Sequence, residues 1–412
     1  MFTATALALP PMPPRSHLSA LTSLRFIAAL AVVVLHYRDL LGPLPPWLLQ
    51  AIVGGQYGVT FFFVLSGFIL TYRYRDWFAQ GVDAWRYGWF QRFRLARIYP
   101  VYLFGLLLDT PWHVLERIGA GALPAEAPTY WASWLINAVG LQAWVPAVPF
   151  AMFWNTPAWS VAAEFFFYAS FPWVCCALSR RAQRPAWMLL ALLVTVLTGT
   201  LLYVAVIHSM NYVWRVEPTT QYLVTVYNPV LRYSEFLAGC LAGQWFLGPL
   251  PEAGPNRAPR WLASLWRRNL VLTLCLLLIG WRIMAPSYTG PSAGWWLLDV
   301  SSKYSFFILP FVGVILAVAS GRTWLSPLLE RPWMVLLGQA SYALYIVHWS
   351  VVTVLSMQLL GAWGTPTLHA LALAGTVFLS LACYRWIEVP WRRRLRGDFS
   401  LKGGSRLPVA AV

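Results

Sequence analysis

The stretch AWMLLALLVTVLTGTLLYVAVIH, residues 186–208, decides the fold class. It contains no Asp, Glu, Lys or Arg, and at about 1.5 Å per helical residue it is long enough to cross a hydrocarbon core of roughly 30 Å. Runs of near-spanning length, Asn269–Ala285 and Ser305–Ser320 among them, recur along the whole chain. Of 412 residues, 59% are hydrophobic and only 11% charged, a balance that no soluble core could hide. The chain therefore reads as all-α, a polytopic integral membrane helix bundle held in the lipid bilayer. About ten transmembrane helices are expected, near 20–38, 56–73, 97–115, 158–179, 186–208, 221–247, 269–286, 303–320, 334–360 and 366–388. Tyr130–Val148 is a weaker eleventh run and reads as an outer-face or re-entrant segment. The irregular Pro146–Pro157 after it suits the mouth of a cavity.

Charge orients the bundle. The formal net charge is +16, and the cations gather in alternate loops. One group is Arg73, Arg75, Arg86, Arg92, Arg94 and Arg97; the next are Arg180, Arg181 and Arg184, then Arg257, Arg260, Arg267 and Arg268, then Arg322 and Arg331. The intervening loops hold only Arg38, Arg117, Arg215, Arg282 and Lys303. Cytoplasmic loops retain Lys and Arg, so both termini are expected in the cytoplasm. The organisation is a cytoplasmic N-terminal segment 1–19, a membrane domain 20–390 and a basic tail 391–412. Cations confined to loops, without exposed aromatics interleaved on one polar face, argue against a nucleic-acid partner. The five cysteines lie in apolar runs without ligand spacing, so no metal site is expected. The first fourteen residues lack the basic start and cleavage site of a removable signal peptide.

Charged side chains inside a span cost roughly 2.5–3.5 kcal/mol on insertion scales and face a cavity or a partner. Arg25 and His36 lie in the first span, eleven positions apart. At about 100° per residue they return to nearly the same helix face, separated by a rise of about 16 Å. Neutral imidazole can accept a proton from an attacking hydroxyl and return it, while Arg can hold a phosphate or a developing negative charge. An Arg reaching headgroups and a His bonded to a neighbouring helix would account for the same pair.

Further polar residues extend the pattern. FFFVLSGF (61–68) places Ser66 beside Gly67 in a span, where close packing is the simpler reading. RFRLARIYP (92–100) sets Arg94 and Arg97 on one face at i,i+3, a spacing able to clamp a phosphorylated donor, although positive-inside anchoring explains it too. NTPAWSVAAEFFFY (155–168) carries Trp159 and Glu164; counted from the outer side, Glu164 lies at a depth similar to His36 and could orient its imidazole. In NPVLRYSEFLAG (228–239), Arg232 and Glu235 form an i,i+3 pair whose default role is mutual neutralisation. SYALYIVH (341–348) brings a second histidine, His348, to mid-depth. Glu388 reads as structural, and His17, His113, His208 and His369 as peripheral.

With these stretches in this order, the chain resembles the acyltransferase-3 membrane proteins, which O-acylate surface glycans and other hydroxyl acceptors. The matching stretches are LTSLRFIAALAVVVLHY, GVTFFFVLSGFILTY, RFRLARIYPVY, WSVAAEFFFY, RYSEFLAGCLAG, SYALYIVH and IEVPWR, covering about Leu21 to Arg394. The family's Arg-x10-His motif falls on Arg25 and His36, and its Arg-x-x-Arg motif on Arg94 and Arg97. The resemblance implies acyl transfer at His36 and arginines that bind or position an acyl-CoA, most simply acetyl-CoA, as donor substrate. It implies no permanently bound cofactor and a glycan or lipid-linked glycan as acceptor. The chain resembles a stand-alone member without the periplasmic hydrolase-like domain that some members carry, in a bacterial inner membrane. The rival expectations are a transporter or flippase of a lipid-linked glycan, whose path intramembrane ions would also line, and a membrane-embedded assembly subunit.

Overall fold

The computed structural model describes residues 17–41, 43–121, 123–180, 185–248, 260–285, 305–356 and 366–396. Arg181, Arg184, Arg257, Lys303, Lys402, Arg406 and the remainder of both terminal segments lie outside them. Among the described residues every regular element is helical. The principal helices are α1 Ser19–Tyr37, α2 Pro46–Val53, α3 Tyr57–Phe78, α4 Ala84–Gly119, α5 Leu123–Ala138, α6 Val148–Ala151, α7 Trp159–Ser179 and α8 Pro185–His208. They continue with α9 Pro218–Tyr227, α10 Tyr233–Leu247, α11 Leu265–Met284, α12 Ser305–Ala319, α13 Ser326–Leu329, α14 Pro332–Ser356, α15 Pro366–Cys383 and α16 Val389–Arg396.

Among the described residues, six helical stretches are long and apolar enough to cross a membrane: Ser19–Tyr37, Pro46–Phe78, Thr156–Ser179, Ala186–Val213, Pro332–Leu355 and Ala370–Leu395. Ser305–Ala319 is apolar but shorter. The decisive run 186–208 forms α8, whose Leu189, Leu190, Leu193, Val194, Leu197 and Leu201 are exposed. An apolar face left open in this way suits lipid.

Two expected spans differ in the structure. The arginine-rich stretch 84–97 is not loop: Asp83 caps the Arg86 N–H through Oδ1 at 2.8 Å, and α4 runs unbroken from Ala84 to Gly119. Arg94 and Arg97 therefore sit three turns inside a helix of 36 residues. The expected span 221–247 is divided into α9 and α10. Pro229 has no N–H and disfavours helical geometry in the residue before it, and Asn228 is extended, at φ −63° and ψ 123°. Tyr130–Val148 becomes the end of α5, a 3-10 turn at Gln142–Trp144 and the start of α6.

The core is assembled by close helix crossings. α3 packs against α10 and α1 against α14, the two most extensive contacts in the bundle. A Cβ on Gly67 would collide with the Phe236 carbonyl, one on Gly239 with the Val64 carbonyl, and one on Gly338 with the Thr22 carbonyl. Small residues permit such backbone approach where no water drives apolar association. The expectation that Gly67 serves close packing is met here.

Candidate active site

The α1–α14 crossing places His36 beside His348. His36 Nδ1 is 2.9 Å from His348 Nε2, and the rings stack with centroids 5.1 Å apart at 16°. His348 is fully buried, and its Nδ1 lies 3.3 Å from the Leu344 carbonyl. A carbonyl only accepts, so Nδ1 of His348 carries the hydrogen and, in the neutral ring, Nε2 is the acceptor. It follows that His36 donates from Nδ1 and keeps the lone pair on Nε2. His348 thus fixes the tautomer of His36 in which Nε2 is the unprotonated nitrogen. Trp349 meets the His36 ring edge-on at 5.2 Å, and its Nε1–H is buried without a hydrogen-bond partner among the described residues.

Glu164 is not the partner of His36. Its Oε2 accepts a 2.5 Å hydrogen bond from the Tyr168 hydroxyl, and its charged neighbours are Arg25, Arg97 and Arg94. The reason is depth. Asn155, in the stretch read as a cavity mouth, is buried and donates from Nδ2 to the Ile346 carbonyl at 2.9 Å, two residues from His348. The chain therefore enters α7 already level with the histidines. Glu164, five residues into α7, lies about 7 Å deeper along the helix than Trp159, among the arginines.

Those arginines stand where two cavities meet. One is lined by His17, Arg73, Gln339, Tyr384, Glu388 and Arg392 at the arginine-rich end of the bundle. The other runs inward past Phe62, Ser66, Ser160, Glu164, Tyr342 and Tyr345. Arg25, Arg94 and Arg97 line both. Arg94 donates to the Tyr74 hydroxyl at 2.7 Å, and its Nε is buried without a hydrogen-bond partner among the described residues. Arg97 has Arg25, Arg94 and Arg392 near it and Glu388 as its opposing charge. Glu388 in turn pairs with Arg392 at 3.7 Å. Guanidinium groups outnumber carboxylates here, and their planar forks match phosphate oxygens.

The remaining expected site residues gather elsewhere. Arg232 pairs with Glu235 at 3.1 Å, donates to Thr60 Oγ1, and lies over the Phe63 and Trp159 rings. Trp159 stacks on Tyr227 at 4.6 Å. Arg232, Glu235 and Trp159 are buried and line neither cavity, as the local-pair reading expects, while Phe63 presents its ring to the inner one. His113, read as peripheral, is buried and pairs with Asp109 at 3.0 Å; the Asp-x3-His spacing of one helical turn was its visible signal. The cavity roles of Glu388, Arg392 and Tyr345 had no local signal, because each arises from packing between distant helices. No group of His, Cys, Asp and Glu able to hold a metal ion occurs among the described residues.

A histidine pair and a cationic cavity thus lie within a bundle of helices long and apolar enough to cross a membrane. The acyltransferase-3 family model, described as an acyltransferase domain, matches residues 18–385, and the chain belongs to that family. It is a membrane O-acyltransferase. The acyltransferase MdmB of Streptomyces mycarofaciens is 26% identical over 97% of this chain and 96% of its own length. The peptidoglycan O-acetyltransferase OatA of Listeria monocytogenes is 23% identical over 92% of this chain. The match spans 56% of OatA. No solved structure matches the chain.

Proposed function

We propose that this protein transfers an acyl group, acetyl in the simplest case, from cytosolic acyl-CoA to a hydroxyl of a cell-surface or exported glycan, with His36 as general base. The observation that carries the proposal is the His36–His348 hydrogen bond, which leaves the Nε2 lone pair of His36 available. The arginine junction of Arg25, Arg94 and Arg97 suits the phosphates of CoA, and the inner cavity leads its thioester toward the histidines. His36 Nε2 takes the proton of the acceptor hydroxyl as its oxygen attacks the thioester carbonyl. The tetrahedral intermediate expels the CoA thiolate, which recovers the proton from the imidazolium; the products are an ester and CoA thiol. The glycan acceptor draws support from OatA, whose name specifies peptidoglycan O-acetylation.

The chain's place in this scheme is the bacterial inner membrane, with about ten spans and both termini in the cytoplasm. Loop charge supports that orientation, because it sets the arginine-rich cavity on the side where acyl-CoA is found. The test is to supply labelled acetyl-CoA to membranes carrying wild type or His36→Ala and to follow label in glycan. Loss of transfer in the variant is expected; wild-type labelling by His36→Ala would refute the base assignment. A transporter would instead move unmodified glycan without consuming acyl-CoA.

A further inference from the structure

The inner cavity stops short of the histidines, and what stops it is specific. Phe62 and Tyr345 line its wall, their rings edge to face with centroids 5.9 Å apart at 74°. Beyond Tyr345 comes His348, ring to ring at 5.9 Å. Phe62 packs on the patch that contains Val33 and Leu344, residues one helical turn before His36 and His348. An acyl group entering from the arginines meets these two rings before it meets an imidazole.

The two rings are held differently. Tyr345 is anchored at its tip: its hydroxyl accepts from Ser160 Oγ at 2.8 Å and donates to the Pro157 carbonyl at 3.0 Å. Phe62 has no polar tether and is only half-buried. It is held by packing alone, so rotation about χ1 and χ2 is the movement open to this wall. Tyr345 is the fixed side of the passage and Phe62 the side that can yield.

We infer that Phe62 sets the acyl-chain length this enzyme accepts, its ring yielding far enough for a short acyl group to reach His36 while leaving no room beside it for a longer chain. The inference rests on the acyl transfer proposed above and adds to it the substrate class, short-chain acyl thioesters. Removing the ring should lengthen the cavity toward the histidines without touching the arginines or the imidazoles.

The experiment compares acetyl-, butyryl- and octanoyl-CoA as donors for full-length protein in membranes, reading ester product by mass spectrometry. Wild type is expected to prefer acetyl. Phe62→Ala should raise the butyryl-to-acetyl rate ratio at least tenfold, Phe62→Leu less, and Phe62→Trp should lower it. A ratio is independent of the amount of folded protein, so partial loss of folding in one variant does not obscure the result. Ratios within twofold of wild type in variants that still transfer acetyl, or a wild type that prefers octanoyl-CoA, would overturn the inference. Wild type that transfers no acyl group from any CoA thioester would instead overturn the functional proposal on which it rests.

Discussion

Replacing His348 by Phe removes the acceptor for His36 Nδ1–H while keeping a buried ring. The lost contact is the 2.9 Å hydrogen bond from His36, at a site where His348 has no solvent exposure and water cannot readily substitute. Leaving a buried donor unsatisfied costs about 1–3 kcal/mol. Set against the transition state, in which the imidazole must present Nε2, this is about 5- to 150-fold in kcat. The arginine junction is untouched, so KM for the acyl donor should stay within about threefold. His348→Gln can place an amide oxygen near the position of Nε2 and should recover part of the loss. Initial rates of acyl transfer across a range of acyl-CoA concentrations separate the two constants. His348→Phe with kcat within twofold of wild type, or with the whole effect in KM, would refute the tautomer reasoning.

Three other perturbations test neighbouring parts of the structure. Arg94→Lys keeps the charge but loses the guanidinium fork; at about 1.5–3 kcal/mol for a charge-assisted contact, donor KM should rise about 10- to 150-fold with kcat little changed, as measured by saturation kinetics. Glu164→Gln removes a negative charge from among Arg25, Arg94 and Arg97 and should tighten donor binding severalfold at low salt; a kcat collapse like that of His36→Ala would restore Glu164 as the partner of the imidazole. Gly239→Ala forces a methyl group against the Val64 carbonyl and should lower stability by about 1–3 kcal/mol or more. Thermal unfolding in detergent reads that loss, with Gly81→Ala, where the added carbon meets open space, as the control expected to stay near wild type.

How much of this was legible beforehand differs between fold and site. The uncharged run 186–208 and its counterparts established an all-helical membrane protein, because the bilayer requires every spanning backbone to satisfy its own hydrogen bonds. Arg25 and His36 were visible because a charge inside a span is costly and stands out against apolar sequence, and Arg94 and Arg97 because their i,i+3 spacing sets two guanidinium groups on one face. Family membership followed the same motifs. Hydropathy and charge are read along one chain, and they carry that information well.

Which side chains meet across the bundle is a different kind of quantity. His36 and His348 stand 312 positions apart in sequence, and their contact depends on the rotation and axial depth at which α1 and α14 pack, set in part by Gly338 against the Thr22 carbonyl. Glu164 shows the same dependence in the opposite direction. Its depth was counted from an outer end of the span at residue 158, but the chain before that point is already in the interior, where Asn155 reaches Ile346, which shifts all of α7 down toward the arginines. Sequence alone determined that this is a helical membrane protein of the acyltransferase-3 type and which polar residues sit in costly places. Only the tertiary structure decided that His348 rather than Glu164 holds His36, because helix depth and rotation come from interhelical packing and not from any pattern along the chain.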